Sequence, residues 1–510
     1  INKISILSSE KPGASTYSTN RGVVFLNYGE PLGTGNQQVY VSVGSIGEAG
    51  QRFGTAVLDV YGAYQYIHRI DEIYTINSAI SAGTLATTSD GGPQYINSVG
   101  VIDVDNGDYS FSRAFGVFNW SDSGVEYEDS GIRHEGNQYV GLTERINVVS
   151  RFHDREAVGL YNRGGEQVIE AKPDDKGFVV IDAINTADGP AYSVLVSPIM
   201  DNQAAAEKSK NITTLKGNFT IANGPLVARN VANGQLYASI SSINLLNSNF
   251  SGNALNLGES NYILIEKGEK DAELGKSTTY LTIGDDRLKE DPGYRVNLHR
   301  NSFINVQGSL RGRGIIAVHF DKEAFDRAKA NDVALPGENG SVTWDFQGKG
   351  YGVVSGGVLM KNVEKTLAGN NSHLDVVVPI SADEVPDEHF AYQVMRSAVN
   401  NLFVDEGIEN IRERIDLEKW EDEKGIYEKY KYVAGKVYIN EGKINGGYEE
   451  EYYYEDPEIV GNQNNIRDAF SSATLKLVPT DGTITDSEGN FVSYTSTDRK
   501  VTLPLEVSSK

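Results

Sequence analysis

The segment Ser242–Glu266, SINLLNSNFSGNALNLGESNYILIE, carries the clearest indication of the architecture of this chain. Its short alternating runs are cut by asparagine, glycine and serine, as expected for strands that end in tight bends. Asparagine and glycine tolerate the left-handed backbone that such bends need. The pattern predicts one coil of a parallel β-solenoid with apolar side chains directed inward. The residues expected to face the interior are Ile243, Leu245, Phe250, Leu255, Leu257, Ile263 and Ile265.

Two further stretches show a similar pattern. Val296–Phe320 is a second candidate coil, in which Phe303 and Ile315 are expected to point inward, and Thr213–Tyr237 is a looser third. Lengths of about 25 residues lie in the range of solenoid repeats. The alternative is an ordinary stack of β-sandwich domains with asparagine-rich turns, which the residues alone leave open.

The sequence of the central coil, LLNSNFSGNAL at residues 245–255, resembles that of the pectin-lyase-like right-handed parallel β-helix. That family includes bacterial autotransporter passengers, surface adhesins, phage tailspikes and polysaccharide-cleaving enzymes. The resemblance covers residues 140–380, and the irregular spacing of the candidate coils departs from the family pattern. It implies a non-enzymatic, adhesin-like surface protein, or alternatively a viral or phage structural protein or a glycosidase.

Composition limits the possible partners. The chain has 510 residues, with 46 Lys and Arg against 70 Asp and Glu, for a formal net charge of −24. Such a charge repels polyphosphate, so we expect no nucleic acid partner. No stretch is long and apolar enough for a spanning helix, so we expect no membrane insertion by this chain. The absence of cysteine excludes disulfides, thiolate nucleophiles and cysteine-ligated metals.

The predicted fold class is mainly β: a parallel β-solenoid or multi-domain β rod with a short two-helix segment and a small C-terminal β module. Residues 1–140 are expected to form a β-rich domain with one helical insertion around Gly54–Ile76. Residues 141–380 form the solenoid-like region, with helical turns around Asn202–Lys208 and Lys322–Ala330. Residues 381–425 form a helical cap or docking segment, because apolar residues recur there at helical spacing. Residues 426–510 form a C-terminal β module with an acidic, tyrosine-rich loop.

One acidic turn is a candidate calcium site. Asp103, Asp105 and Asp108 are closely spaced around Asn106-Gly107, and carboxylates are the hard oxygen ligands that Ca²⁺ prefers. The turn lacks the downstream bidentate glutamate of an EF-hand loop. A turn that closes a hairpin through aspartate side chains is the alternative interpretation.

A second acidic motif is the candidate catalytic site of the glycosidase alternative. Gly284-Asp285-Asp286-Arg287 precedes His299 and Arg311 by about one coil, and an inverting glycosidase needs two carboxylates with a gap for water. The motif is similar to the polygalacturonase arrangement, in which a Gly-Asp-Asp motif is joined by a further aspartate on the preceding coil and by a Gly-His-Gly. However, Asn-Leu-His-Arg replaces the family's Gly-His-Gly, and Asn261 stands where a third aspartate is expected. The polar run from Lys289 to Pro292 also indicates an exposed loop rather than a groove that raises a carboxyl pKa.

These observations favour a non-enzymatic extracellular surface, structural or assembly protein over an enzyme. We expect its partner to be a protein or glycan surface or copies of itself, and its location to be extracellular, on a cell surface or in a virion. No cofactor other than Ca²⁺ is expected.

Overall fold

The structure is a computed structural model of the whole chain. It describes residues 1–5, 23–28, 35–60, 62–83, 92–107, 113–120, 137–173, 177–198, 210–232, 235–236, 239–248, 253–268, 278–285, 294–300, 302–306, 308–312, 314–317, 319–320, 334–336, 342–344, 354–355, 357–359, 374–379, 435–440, 443–448, 473–478, 495–496 and 499–500. These residues are mainly β, and no helix occurs among them. In particular, they contain no helix long and apolar enough to cross a membrane.

The chain divides into two compact units. The first comprises Ile1–Leu255, Asn261–Glu273 and Ser277–Thr282, and the second comprises Asn256–Ser260, Leu274–Lys276 and Ile283–Lys510. The strands up to residue 283 are β1 (Lys3–Ile4), β2 (Val23–Tyr28), β3 (Gly35–Ile46), β4 (Phe53–Val60), β5 (Gly62–Ala82), β6 (Gln94–Asp105), β7 (Ala114–Asn119), β8 (Asn137–Ser150), β9 (Ala157–Asn162), β10 (Gly165–Ala171), β11 (Val179–Asn185), β12 (Ala191–Val196), β13 (Lys210–Lys216), β14 (Phe219–Ile221), β15 (Leu226–Ala228), β16 (Val231–Ala232), β17 (Gln235–Leu236), β18 (Ile240–Leu246), β19 (Ala254–Leu257), β20 (Tyr262–Ile265) and β21 (Thr279–Ile283).

The remaining strands follow in chain order. They are β22 (Arg295–Leu298), β23 (Phe303–Val306), β24 (Ser309–Gly312), β25 (Ile315–Ala317), β26 (His319–Phe320), β27 (Ala334–Pro336), β28 (Val342–Trp344), β29 (Val354–Ser355), β30 (Gly357–Leu359), β31 (Leu374–Pro379), β32 (Gly435–Asn440), β33 (Lys443–Tyr448), β34 (Ala473–Val478), β35 (Thr495–Ser496) and β36 (Arg499–Lys500).

The first unit is a parallel β-solenoid, the architecture that the sequence predicts for residues 141–380. Strands β3, β5, β6 and β8 pair in parallel, and each bends from one face of the solenoid to the next. In the later coils, the ladder on the first of these faces continues through β10, β13 and β18. The ladder on the second face continues through β11 and β14. A third parallel ladder runs through β2, β4, the end of β5, β7, β9, β12, β15 and β20. Pairing of β6 with β8 carries the ladder across residue 140, where the sequence analysis places a domain boundary.

The second unit combines parallel ladders with hairpins. Strands β22, β25, β31 and β34 pair in parallel, and so do β23 and β30. Antiparallel pairs are formed by β26 with β29, β27 with β28, β32 with β33 and β35 with β36. Residues 426–510 thus contain short β hairpins and β34. The helical predictions for 202–208, 322–330 and 381–425 lie outside the described residues.

The predicted core of the central coil is confirmed. Six of its inward residues are fully buried: Ile243, Leu245, Leu255, Leu257, Ile263 and Ile265. The prediction for Ile315 is wrong, because β25 places Ile315 at a partly exposed position and buries Ile316 instead. Ile316 pairs with the buried Val296 of β22, and parallel strands put paired residues on the same face. Phe250 and the Phe303 side chain lie outside the described part of the structure.

The predicted helical insertion around Gly54–Ile76 is wrong, since β4 and β5 occupy this segment. Its buried isoleucines, Ile67, Ile70, Ile73 and Ile76, recur every three residues, which imitates a helical pattern. The spacing has a different origin. The paired strand β6 repeats it in register, because the buried Ile96, Val99 and Ile102 lie opposite Ile67, Ile70 and Ile73, so the aligned coils share this departure from strict strand alternation.

A ladder of glutamine amides runs through the interior of the first unit. Nε2 of Gln65 donates to Oε1 of Gln37 at 2.7 Å, and the same bond recurs from Gln94 to Gln65, from Gln138 to Gln94 and, at 2.8 Å, from Gln167 to Gln138. Successive members are 28, 29, 44 and 29 residues apart. The uninterrupted coil is therefore slightly longer than the predicted one, and the third step contains an insertion.

Each central glutamine also bonds to the backbone. Nε2 of Gln94 donates to the Ser81 carbonyl at 3.1 Å, and Nε2 of Gln138 donates to the Phe118 carbonyl at 2.9 Å. Gln94 and Gln138 are each 1% exposed. A buried amide without partners is costly, so the ladder fixes both the register of the coils and the inward orientation of this position.

We predict that Gln94→Leu lowers the free energy of unfolding by about 2–4 kcal/mol, because it removes partners from the buried amides of Gln65 and Gln138. The matched control is Gln51→Leu, at an exposed glutamine, with an expected change within about 0.5 kcal/mol. Urea unfolding followed by circular dichroism measures both variants. Equal effects of the two substitutions would contradict a stabilising ladder.

Candidate functional site

A column of tyrosine rings lies on the outer face of the sheet that carries the glutamine ladder. We call Tyr40, Tyr66, Tyr95 and Tyr139 the tyrosine strip. The ring centroids are 5.3 Å apart for Tyr40 and Tyr66, 5.8 Å for Tyr66 and Tyr95, and 4.4 Å for Tyr95 and Tyr139. The last two pairs are stacked, with interplanar angles of 10° and 9°, whereas Tyr40 is tilted by 38°.

Strand geometry explains the strip. Tyr66, Tyr95 and Tyr139 each follow a ladder glutamine, and successive side chains of a strand point to opposite faces. Parallel pairing then aligns Tyr66 with Tyr95 and Tyr95 with Tyr139. Tyr40 lies within the register shift between Val39 and Ser42 of β3, which agrees with its tilt.

The strip presents ring edges and hydroxyls to solvent. Stacking leaves Tyr66, Tyr95 and Tyr139 partly buried, while Tyr40 at the end of the column is 68% exposed. The Tyr40 hydroxyl donates to Gln38, whose Nε2 donates to Asn36 at 3.3 Å. The outer face of this first strand is therefore lined by uncharged hydrogen-bonding groups.

The far end of the strip is held by charged residues of the next coil. The Tyr139 hydroxyl donates to Glu170, and Nζ of Lys172 lies 5.1 Å from the Tyr139 ring centroid. Burial, followed by the Glu170 carboxylate, raises the pKa of Tyr139, and burial also raises the pKa of Tyr64 beside the strip. These phenols remain protonated at neutral pH and can donate hydrogen bonds.

The sequence analysis did not single out the tyrosine strip. A signal was present, because Gln-Tyr followed by Ile or Val occurs at Gln65, Gln94 and Gln138. Glycine also stands two residues before four of the ladder glutamines, at Gly35, Gly92, Gly136 and Gly165. The spacing of these motifs is irregular, which hides the repeat from a search for a fixed period.

Arginines hold two members of the candidate calcium site. Oδ1 of Asp103 lies 2.6 Å from Nη1 of Arg52, and Oδ2 of Asp103 accepts a bond from Asn147 at 3.1 Å. Asp105 accepts two bonds from Arg151, at 2.9 and 2.7 Å, and one from the Gly107 amide at 2.8 Å. Asp108 lies outside the described residues. Calcium would have to displace these partners, and its binding here remains a prediction.

Asp105 makes a pH-dependent contribution to stability. The hydrogen bonds from Arg151 and the Gly107 amide, together with the nearby guanidinium charges, outweigh burial and hold the pKa of Asp105 below its usual range. A carboxyl with a lowered pKa in the folded state stabilises the fold above its ordinary pKa. That contribution disappears as the pH falls through the lowered value.

We predict that Asp105→Asn lowers the melting temperature at pH 7, and that the difference from the parent shrinks below about pH 4. The control is Asp154→Asn, because the Asp154 side chain is 73% exposed and 3.8 Å from Arg155. Its effect should be small at both pH values. Melting curves recorded between pH 2.5 and 7 test this, and a pH-independent effect of Asp105→Asn would contradict it.

Two of the candidate catalytic residues, Asp285 and His299, lie in separate turns of the structure. Asp285 lies in the turn after β21, and the exposed His299 lies in the turn after β22. Arg311 is part of β24, while Asp286 and Arg287 lie outside the described residues. Asn261, at the expected position of a third carboxylate, is 6% exposed and donates to the Gly224 carbonyl at 3.0 Å. The Asn261 side chain therefore stabilises the turn before β20 through this hydrogen bond.

Comparison with known proteins finds no matching protein family, no matching curated protein and no matching solved structure. The resemblance to pectin-lyase-like proteins therefore stays an expectation drawn from the sequence. Among the described residues, no group of three or more histidine, aspartate or glutamate side chains could hold a metal ion.

Proposed function

We propose that this chain is a non-enzymatic, adhesin-like surface or assembly protein of the outside of a cell or of a virus particle. In this proposal the solenoid is a scaffold, and the tyrosine strip is its contact surface for a neutral glycan. The strip is the observation that carries the proposal: four tyrosines on successive coils form one continuous aromatic column on the outer face.

Tyrosine suits such a contact because it offers apolar ring area together with a hydroxyl that bonds at the water boundary. The amides of Asn36 and Gln38 add uncharged donors and acceptors next to Tyr40. Sugars combine apolar C–H faces with many hydroxyls, so this mixture matches their chemistry. A net charge of −24 disfavours acidic polysaccharides by repulsion, and neutral glycans are therefore the favoured class.

The rigidity of the strip supports the same function. The glutamine ladder directly beneath it fixes the strand register, and stacking restricts the rings. A surface that is already ordered loses little conformational entropy on binding. The ring faces inside the column are occupied by neighbouring rings, so the contact uses ring edges and hydroxyls, plus the exposed ring of Tyr40.

We predict that the double variant Tyr66→Ala, Tyr95→Ala binds neutral polysaccharides about 10- to 100-fold more weakly than the parent, since two aromatic contacts are lost. Binding is measured on an array of neutral and acidic polysaccharides. The matched control is Tyr262→Ala, because Tyr262 is 41% exposed but lies in β20, on a different face. Melting curves verify that each variant is folded. Absence of binding, or equal losses in the variant and the control, would contradict the proposal.

A scaffold role also predicts that the parent releases no new reducing ends from polygalacturonate. The comparison is with Asp285→Asn, Asp286→Asn, which removes the carboxylate pair of the glycosidase alternative. Equal baselines are the expected result. Cleavage by the parent that is lost in the variant would replace the proposed function with glycoside hydrolysis.

A further inference from the structure

Asparagine followed by glycine is a chemically reactive pair in a protein chain. The backbone nitrogen of the glycine can attack the side-chain amide carbon of the asparagine, because glycine has no side chain that shields this nitrogen. The described part of the structure contains three such pairs, which begin at Asn106, Asn223 and Asn445. Asn223 is exposed in a turn, whereas Asn106 is 0% exposed and Asn445 lies in the paired strand β33.

The turn between β14 and β15 requires glycine at position 224. Gly224 has a φ of 77°, in the left-handed region that favours glycine. A Cβ atom at this position would lie 2.9 Å from the Ser193 nitrogen and 3.1 Å from the Ala183 carbonyl oxygen. The fold therefore places a glycine, with its unshielded backbone nitrogen, directly after Asn223.

The hydrogen bonds around Asn223 favour the attack. Its backbone carbonyl oxygen accepts one bond from the Ser193 hydroxyl and one, at 3.4 Å, from the Ala183 amide. This oxygen carries negative charge when the Gly224 nitrogen loses its proton, so the two donors stabilise the nucleophile. The Asn223 side chain is exposed, and its Nδ2 donates to Oδ1 of Asp182 at 2.8 Å, where water competes for the bond.

Asn106 also precedes a glycine, but the structure holds both reacting groups in place. Nδ2 of Asn106 donates to the Ser150 hydroxyl at 3.1 Å, and its Oδ1 accepts a bond from the Arg151 amide at 2.9 Å. The Gly107 nitrogen donates to Oδ1 of Asp105 at 2.8 Å. The attack would require these bonds to break, so the segment would have to open locally first.

We propose that Asn223 is a site of spontaneous modification, at which the chain converts its own asparagine into aspartate and isoaspartate. The Gly224 nitrogen loses its proton to solvent and forms a bond to Cγ of Asn223. The bond from Cγ to Nδ2 breaks, and Nδ2 takes up a proton and leaves as ammonia. Water then opens the resulting five-membered succinimide ring at one of its two carbonyl carbons. The net reaction consumes one water molecule and releases one ammonia molecule.

Both products change the turn. Each carries a carboxylate beside Asp182, in place of the amide that donates to it, and like charges at this distance repel one another. Isoaspartate also adds one carbon atom to the main chain. That displaces the Gly224 carbonyl, which accepts a bond from Asn261 at 3.0 Å. The modification therefore weakens the connection between the coils that contain β15 and β20.

The first test follows both sites in the full chain during weeks of incubation in mildly alkaline buffer. The chain is digested, and mass spectrometry measures the conversion of the peptides that contain Asn223 and Asn106. We expect conversion at Asn223 to be at least about tenfold faster, because the buried pair must first open. A parallel sample in urea is the matched control, and unfolding should bring the two rates to within about threefold of one another.

Equal rates at the two sites in the folded chain overturn the proposal, because the structure would then give Asn223 no advantage. A difference that persists unchanged in urea also overturns it, since the cause would be the local sequence. Neither measurement requires a substitution, so no variant has to fold.

The second test measures the effect of the product on the turn. Asn223→Asp introduces the carboxylate beside Asp182, and Asn223→Ser is the matched control, because it removes the same amide without adding a charge. We expect Asn223→Asp to melt at a lower temperature than Asn223→Ser at neutral pH. Equal melting temperatures would overturn the proposed effect on the turn. Neither test involves a glycan, so the outcome is independent of the proposed function.

Discussion

The first unit depends on in-register parallel pairing, which places each side chain on the equivalent side chain of the next coil. This repetition is favourable for a buried glutamine, because its amide can donate to the glutamine on one side and accept from the one on the other. Gln65, Gln94 and Gln138 each do so, and each also donates to a backbone carbonyl. An isolated buried amide would instead be destabilising. The ladder thus makes one register much more stable than its neighbours.

The outer surface follows from that interior. A strand alternates its side chains, so a residue next to an inward glutamine must point to solvent. Tyrosine at this position in three successive coils gives stacked rings with centroids 4.4 to 5.8 Å apart. A slip of one residue would bury the tyrosines and expose the glutamines. The interior hydrogen bonds and the proposed contact surface are therefore fixed by the same constraint.

Charge is distributed unevenly over the first unit. The carboxylates of Asp103 and Asp105 are paired with Arg52 and Arg151, which come from distant parts of the chain. Strands β2 and β3 contain no charged residue. A strongly acidic chain therefore has an uncharged region of tyrosine, asparagine and glutamine, which is the surface that we propose to bind a glycan.

The fold class and the buried residues of the central coil could be predicted from the sequence. Alternation and asparagine-rich bends are local features, and residues 242–266 display them without interruption. The alignment of the coils could be seen only in the folded chain, because the insertions between coils are irregular, as between Gln94 and Gln138, which are 44 residues apart. The same applies to Arg52 and Asp103, which are brought together by pairing between coils. The isoleucines of β5 illustrate the limit of local reasoning, since a strand whose inward residues stand three positions apart has the apolar spacing of a helix.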